Sequence, residues 1–294
     1  MRISVVGPVL NEVDFIGQSI MAALPYVHEF IYTLDEKSND GTRELLRYIK
    51  EKYAHEKLIV LEHPTFHPSD MERYNAAFNV GIGRSTGDAC WFLHPDMIVT
   101  EWPDVADSCK KVPNCFELHP DAVLTPQGPL AWWVTVTSFA RDFRTVITKG
   151  RTDRWKNIHA KRLGLHYFGG YGSQNEDFYH SDITGRSYKH YGSEFSKYPF
   201  EVADSGIKLN HYCELKGYAR RLEKMKLCLK TQHPQADAGW IEERATHHPR
   251  VTLEPTTDRF GAFEFKESDQ SVPEVFSKYA DEFSQFKKEP IASA

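Results

Sequence analysis

The sequence predicts an α/β fold: a mostly parallel, Rossmann-like sheet flanked by helices. Three observations carry this. Short β-branched, apolar runs alternate with helical patterns four times in the first hundred residues. The segments joining them are short, as in doubly wound sheets. Polar clusters recur where the strands end, at Asn11-Glu12, at residues 35–40 and at residues 94–96. Ligands bind at that edge in open α/β sheets.

The elements follow in order. Residues 2–7 are apolar and β-branched, a buried strand that turns at Pro8. Residues 12–24 place Val13, Ile16, Ile20 and Leu24 on one helical face, and Pro25 ends the helix. Residues 30–34 read as a second strand, followed by a polar loop at 35–41. A helix over 42–53 turns Leu45, Leu46 and Ile49 inward. Residues 58–61 are a third strand. Ser69 and Glu72 then have the spacing of a capping box for a helix running to about Arg84. A fourth strand over 89–93 ends at His94-Pro95-Asp96.

The rest is less regular. Residues 115–139 read as strands and turns. Residues 141–162, which open on Arg141 and close on Arg162, hold eight Arg or Lys against two Asp. Residues 164–175 are rich in Gly and aromatics, a loop that could cover a ligand. Residues 214–230 read as a helix with a basic face. The last stretch, 254–294, carries nine acidic against five basic residues, with Phe276 and Phe283 to pack it.

The chain has 294 residues, 40% of them hydrophobic and 26% charged, the balance of an ordinary globular protein. Its net charge of −5 argues against a broadly basic nucleic-acid-binding surface. No apolar run is long enough to span a bilayer, and the first residues enter a strand without a signal-peptide pattern. Five scattered cysteines make neither a disulfide framework nor a zinc motif. A cytoplasmic location is the expectation.

The residues Pro8-Val9-Leu10-Asn11-Glu12, Asp35, Ser38-Asn39-Asp40-Gly41-Thr42, Arg73, Asn79-Val80-Gly81-Ile82, Thr86-Gly87-Asp88 and His94-Pro95-Asp96 resemble, in this order, family 2 glycosyltransferases of the GT-A fold. The likeness covers residues 2–100 well and 170–215 loosely. It implies one domain in two halves. Residues 1–100 would bind a nucleotide sugar, residues 101–250 would bind the acceptor and carry the catalytic group, and 251–294 would form a peripheral tail.

The resemblance assigns Pro8, Asn11, Glu12, Asp35, Arg73 and His94 to the nucleotide and donor. Physical chemistry allows these roles beside plainer ones. Asp35 can accept from a base N–H or stabilise its own turn. Glu12 can meet the nucleoside or sit favourably at a helix start. Arg73 can reach the nucleotide or be a solvated helix charge.

Asp96 is the expected ligand of a Mn²⁺ or Mg²⁺ ion that neutralises the diphosphate leaving group. The family has Asp-x-Asp where this chain has His94-x-Asp96, so the contact of the first Asp must pass to His94 or be lost. An imidazole ligand would favour Mn²⁺. A later histidine completes such sites; His211 is the candidate and His190 the second choice. Inverting members of the family use a carboxylate as general base on the acceptor hydroxyl, and the resemblance assigns that role to Asp177 in Asn175-Glu176-Asp177, with Glu176 beside it and Asp182 as the fallback; a helix start favoured by the dipole is the plainer reading.

The expected activity is therefore an inverting, metal-dependent transfer of a hexose from a nucleotide sugar, a UDP-sugar first, to a hydroxyl. The basic, aromatic-bearing stretch 141–162 leaves open an acceptor on a modified base of DNA. A catalytically inactive nucleotide-sugar-binding module is a further alternative, because of His94.

Overall fold

A computed structural model describes residues 1–64, 71–103, 131–149, 154–161, 165–168, 177–181, 187–189, 202–253 and 264–288. Strands β1 (Ile3–Val9), β2 (Glu29–Asp35), β3 (Leu58–His63) and β4 (Ala89–Trp91) alternate with helices α1 (Ile16–Ala23), α2 (Thr42–Lys52) and α3 (Met71–Arg84). The four strands are parallel in the order β3-β2-β1-β4. Side chains alternate across a strand, so each face needs its own cover. Val5 and Val9 of β1 join one apolar cluster with Ile16, Ile20, Leu45, Leu46 and Ile49 of α1 and α2. Val6 joins a second cluster, with Tyr74, Phe78 and Ile82 of α3. The first half is thus wound on both faces of a parallel sheet, as the alternation predicts.

Beyond β4 the sheet becomes mixed. β5 is Met97–Glu101, β6 Ala131–Ala140, β7 Thr145–Lys149 and β8 Arg154–Ala160. β8 runs antiparallel to both β4 and β6. The long strand β12 (Val202–Glu214) lies parallel to β6 and antiparallel to β5. A separate three-stranded antiparallel sheet holds β9 (His166–Phe168), β10 (Asp177–Ser181) and β11 (Ser187–Lys189).

Within the basic segment 141–162 the described charges lie on β7 and β8, in the turn before β7 and just after β8. Arg141 is used internally. Its Nε and Nη2 donate to the Leu253 carbonyl at 2.9 and 2.7 Å, and its guanidinium lies 4.3 Å from the centre of the Phe265 ring.

The C-terminal part contributes helices α4 (Tyr218–Gln232), α5 (Ala238–Thr246), α6 (Pro249–Thr252) and α7 (Glu274–Ser284), and strand β13 (Glu264–Glu267), which extends the sheet at β7. The acidic tail does pack by its aromatics. Phe283 of α7 is 1% exposed and belongs to the main core cluster, lying so close to Gly17 that a Cβ there would meet its ring at 2.5 Å. The chain then reaches the second strand-end loop, where Lys288 N–H donates to the Asp40 carbonyl at 2.9 Å. Gly41 has φ +102°, and a Cβ on it would lie 1.7 Å from the Phe286 carbonyl oxygen. A positive φ and a backbone in contact are two independent reasons for glycine here.

Candidate active site

The carboxyl ends of β1, β2 and β4 bring the polar clusters together. Asn11 sits just past β1 with φ 54°, the left-handed region that Asn tolerates better than most residues. Its side-chain oxygen accepts from Asn39 N–H at 2.9 Å, and its own N–H donates to Ser38 Oγ at 3.1 Å. Asp40, buried, accepts from Val13 N–H at 3.1 Å and Thr42 N–H at 3.0 Å, while Thr42 Oγ1 accepts from Glu12 N–H at 2.7 Å. The loops after β1 and β2 are therefore one hydrogen-bonded unit. Pro8 is half-buried within β1, and Arg73 is exposed on the first turn of α3, the helix that follows β3.

Asp35 ends β2 and is fully buried. One of its oxygens closes the turn by accepting from Lys37 N–H at 2.8 Å, the turn-stabilising role that competes with base recognition.

Asp96 follows β4 and is 2% exposed. The antiparallel register of β12 on β5 sets His211 opposite Met97, and Tyr212 N–H donates to the Asp96 carbonyl at 2.9 Å. His211 Nε2 consequently lies 3.3 Å from Asp96 Oδ1, with both side chains 3% exposed. Two residues far apart in sequence thus meet through strand pairing. His94 lies beside them, its ring centre 6.0 Å from that of His211 and 4.1 Å from that of Phe92.

Lys216 was not singled out by the sequence. It follows β12 and is 4% exposed. Its Nζ lies 2.8 Å from Asp96 Oδ2 and 2.6 Å from Glu12 Oε2. Four residues on, Arg220 Nη1 lies 3.5 Å from Asp40 Oδ2 and 3.8 Å from Asp14 Oδ2. The only advance signal was the basic face expected over 214–230; nothing in it said which way that face points.

Charge and burial set the protonation states. Burial works to raise the Asp96 carboxyl, but the charge of Lys216, then that of His211, outweighs it and holds the group well below the usual carboxylate range. Burial works to lower the Lys216 ammonium, and Asp96 and Glu12 reverse this, so it rises above the ordinary lysine value. Burial holds His94 well below an ordinary histidine despite the pull of Asp96. Its ring is neutral at pH 7, able to donate one hydrogen bond and accept one.

Among the described residues no group of three or more His, Cys, Asp or Glu converges on a metal position. Asp96 and His211 nevertheless suit two neighbouring corners of one. Asp96 Oδ1 is buried beside His211 Nε2, a contact long for a charge-assisted hydrogen bond. Its 3.3 Å separation from His211 Nε2 is close to the distance of roughly 3 Å between adjacent ligands of an octahedral ion with bonds of ~2.1 Å. Substrate phosphates and water commonly complete such a shell.

Asp177 opens β10, paired with Phe168 of β9. The neighbouring Tyr167 stacks on Phe78 of α3, with centres 4.0 Å apart, and lies 6.4 Å from the Phe92 ring, two residues before His94. The small sheet carrying Asp177 is therefore docked beside the β4 end. Glu176, Asp182, His190, Ser69 and the glycines at 169, 170 and 172 lie outside the described residues. Thr86-Gly87-Asp88 instead works at the opposite, amino-terminal end of the strands. Glu29 accepts there from Ser4 Oγ at 2.7 Å and Thr86 N–H at 2.6 Å, and Asp88 accepts from Arg2 N–H at 2.7 Å.

No protein-family model matches the sequence, and no curated protein does. Among solved structures the chain is similar to residues 1–349 of TarS from S. aureus, with TM-score 0.41 and 12% identity over 98% of this chain and 81% of that one. The same protein in complex with UDP-GlcNAc matches with TM-score 0.41 and 9% identity over 83% and 79%. Glucosyl-3-phosphoglycerate synthase from Mycobacterium tuberculosis, in complex with Mn²⁺, UDP and phosphoglyceric acid, matches with TM-score 0.34 and 17% identity over 81% and 80%.

Proposed function

We propose that this chain is a glycosyltransferase that moves a sugar from a nucleoside diphosphate sugar, a UDP-sugar first, to an acceptor hydroxyl with inversion. The observation that carries the reading is the meeting of Asp96 with His211 at the carboxyl edge of a parallel sheet, beside the joined Asn11-Glu12 and Asp40 loops.

In this reading Asp96 Oδ1 and His211 Nε2 hold a divalent cation, Mn²⁺ or Mg²⁺. Bound there, the ion supplies Lewis-acid stabilisation of the negative charge that grows on the departing diphosphate. The chain's own groups do the rest. Asn11, Glu12 and Asp35 face the nucleoside, with Pro8 shaping the strand end and Arg73 reaching from α3. Neutral His94 hydrogen-bonds a hydroxyl of the ribose or the sugar. Asp177, with Glu176 beside it, takes the proton of the acceptor hydroxyl as its oxygen bonds to the anomeric carbon and the bond to the diphosphate oxygen breaks. One such displacement inverts the anomeric centre.

The test is a thermal-shift panel of nucleotide sugars with Mn²⁺, followed by donor turnover with the one that binds. A ligand at ~100 times its Kd should stabilise the protein by about 2.7 kcal/mol. Asp177→Asn should retain that shift and lose turnover by at least a hundredfold, the low end for a general base. A panel in which no nucleotide sugar shifts the melting temperature refutes the reading.

A further inference from the structure

We propose that Lys216, Arg220 and Lys224 form a built-in cationic rail that grips the donor diphosphate, so that the nucleotide binds before any metal does. The inference rests on the function proposed above and adds the group that holds the leaving portion of the donor.

Arg220 and Lys224 are spaced i, i+4 on one face of α4, and Lys216 lies in the turn just before the helix. That face is turned toward the strand ends. Lys216 touches Asp96 and Glu12, Arg220 approaches Asp40 and Asp14, and the Lys224 charge is felt at His94, Asp96 and Lys216. The first turn of α4 has no side-chain cap, and Tyr218 and Ala219 are exposed there, so the positive end of the helix lies next to Lys216 in the chain and adds to its charge.

The carboxylates explain why the cations must be built in. Glu12, Asp40 and Asp96 line the edge where a diphosphate would lie, and a polyanion approaching them bare would be repelled. Lys216 and Arg220 are instead held by those carboxylates, Lys216 buried and Arg220 partly buried. Lys216 lies against Oδ2 of Asp96, while Oδ1 is buried beside His211 Nε2.

The experiment is calorimetric titration of the full chain with UDP and with uridine, each in EDTA and in Mn²⁺. Lys224→Gln and Arg220→Gln are measured beside the wild type, and circular dichroism checks that both fold. UDP should bind the wild type in EDTA at least tenfold more tightly than uridine. Each variant should lose at least tenfold in UDP affinity and less than twofold in uridine affinity. UDP affinity in EDTA should also fall steeply with added salt. UDP that binds only with Mn²⁺ overturns the rail and leaves the proposed function standing. UDP that binds in EDTA equally well to wild type and both variants does the same. A chain that binds neither UDP nor uridine under any condition, and no nucleotide sugar in the thermal-shift panel, removes the proposed function and the rail with it.

Discussion

Lys216 Nζ stands 2.8 Å from Asp96 Oδ2, an ion pair with both side chains 3% exposed, and it ties the turn before α4 to the end of β4. Taking a lysine and a carboxylate out of water costs several kcal/mol each, which good pairing repays only while both partners remain. Glu12, at 2.6 Å, is the second anion on the same ammonium.

Removing that ammonium should therefore be more damaging than an ordinary core change. Lys216→Met strands Asp96 and Glu12 without their shared cation, and stability should fall by about 3–5 kcal/mol. Urea unfolding with an unchanged m-value would give the number directly. A loss under 1 kcal/mol would mean the pair is not buried as described.

Turnover should need Asp96 even where binding does not. Asp96→Asn keeps the shape but removes the charge that would hold a divalent ion beside His211. Donor turnover with Mn²⁺ should drop at least a hundredfold, and EDTA should inhibit the wild type but change little in the variant. Activity unaltered by this substitution would remove the metal role from Asp96.

Gly41 should be intolerant of any side chain. Alanine there meets both the left-handed backbone, at a cost of about 1 kcal/mol, and the Phe286 carbonyl. The segment after α7 must then lift away from the loop that holds Asp40. We expect at least 2 kcal/mol lost in all and faster proteolysis near the C-terminus, read by limited digestion and mass spectrometry.

Glu29 provides a pH dependence with a definite sign. Its burial works to raise the carboxyl, but hydrogen bonds from Thr86 N–H, Ser4 Oγ and Thr86 Oγ1, with His28 nearby, leave it below the ordinary glutamate value. A folded value below the unfolded one contributes stability above the unfolded pKa, ~4.3, and loses it as pH falls through the folded value. Glu29→Gln should thus cost most near neutrality, and its deficit should shrink as the pH drops below about 4. Denaturant curves for both proteins from pH 3 to 7 would show a constant difference if Glu29 were not the group responsible.

The first half of the fold was written locally. The βα alternation, the inward faces of α1 and α2, and the strand-end clusters all follow from periods of two and 3.6 and from turn chemistry acting over a few residues. Asp96 drew notice for the same reason, since it follows a strand that announces itself. The basic stretch 141–162 gave no secondary-structure signal because charge composition carries no period; pairing with β4, β6 and β13 decided that β7 and β8 form there. Only the tertiary structure could place His211, because the β12–β5 register, not any local signal, puts it against Asp96. The same holds for Lys216: lysine is ordinarily a solvated residue, and its burial is decided by two carboxylates from the first hundred residues. In the first hundred residues the sequence by itself determined which elements form and where their polar ends lie. Which distant charges meet there was decided by packing, because a buried ion exists only where the fold brings its partner within a few ångströms.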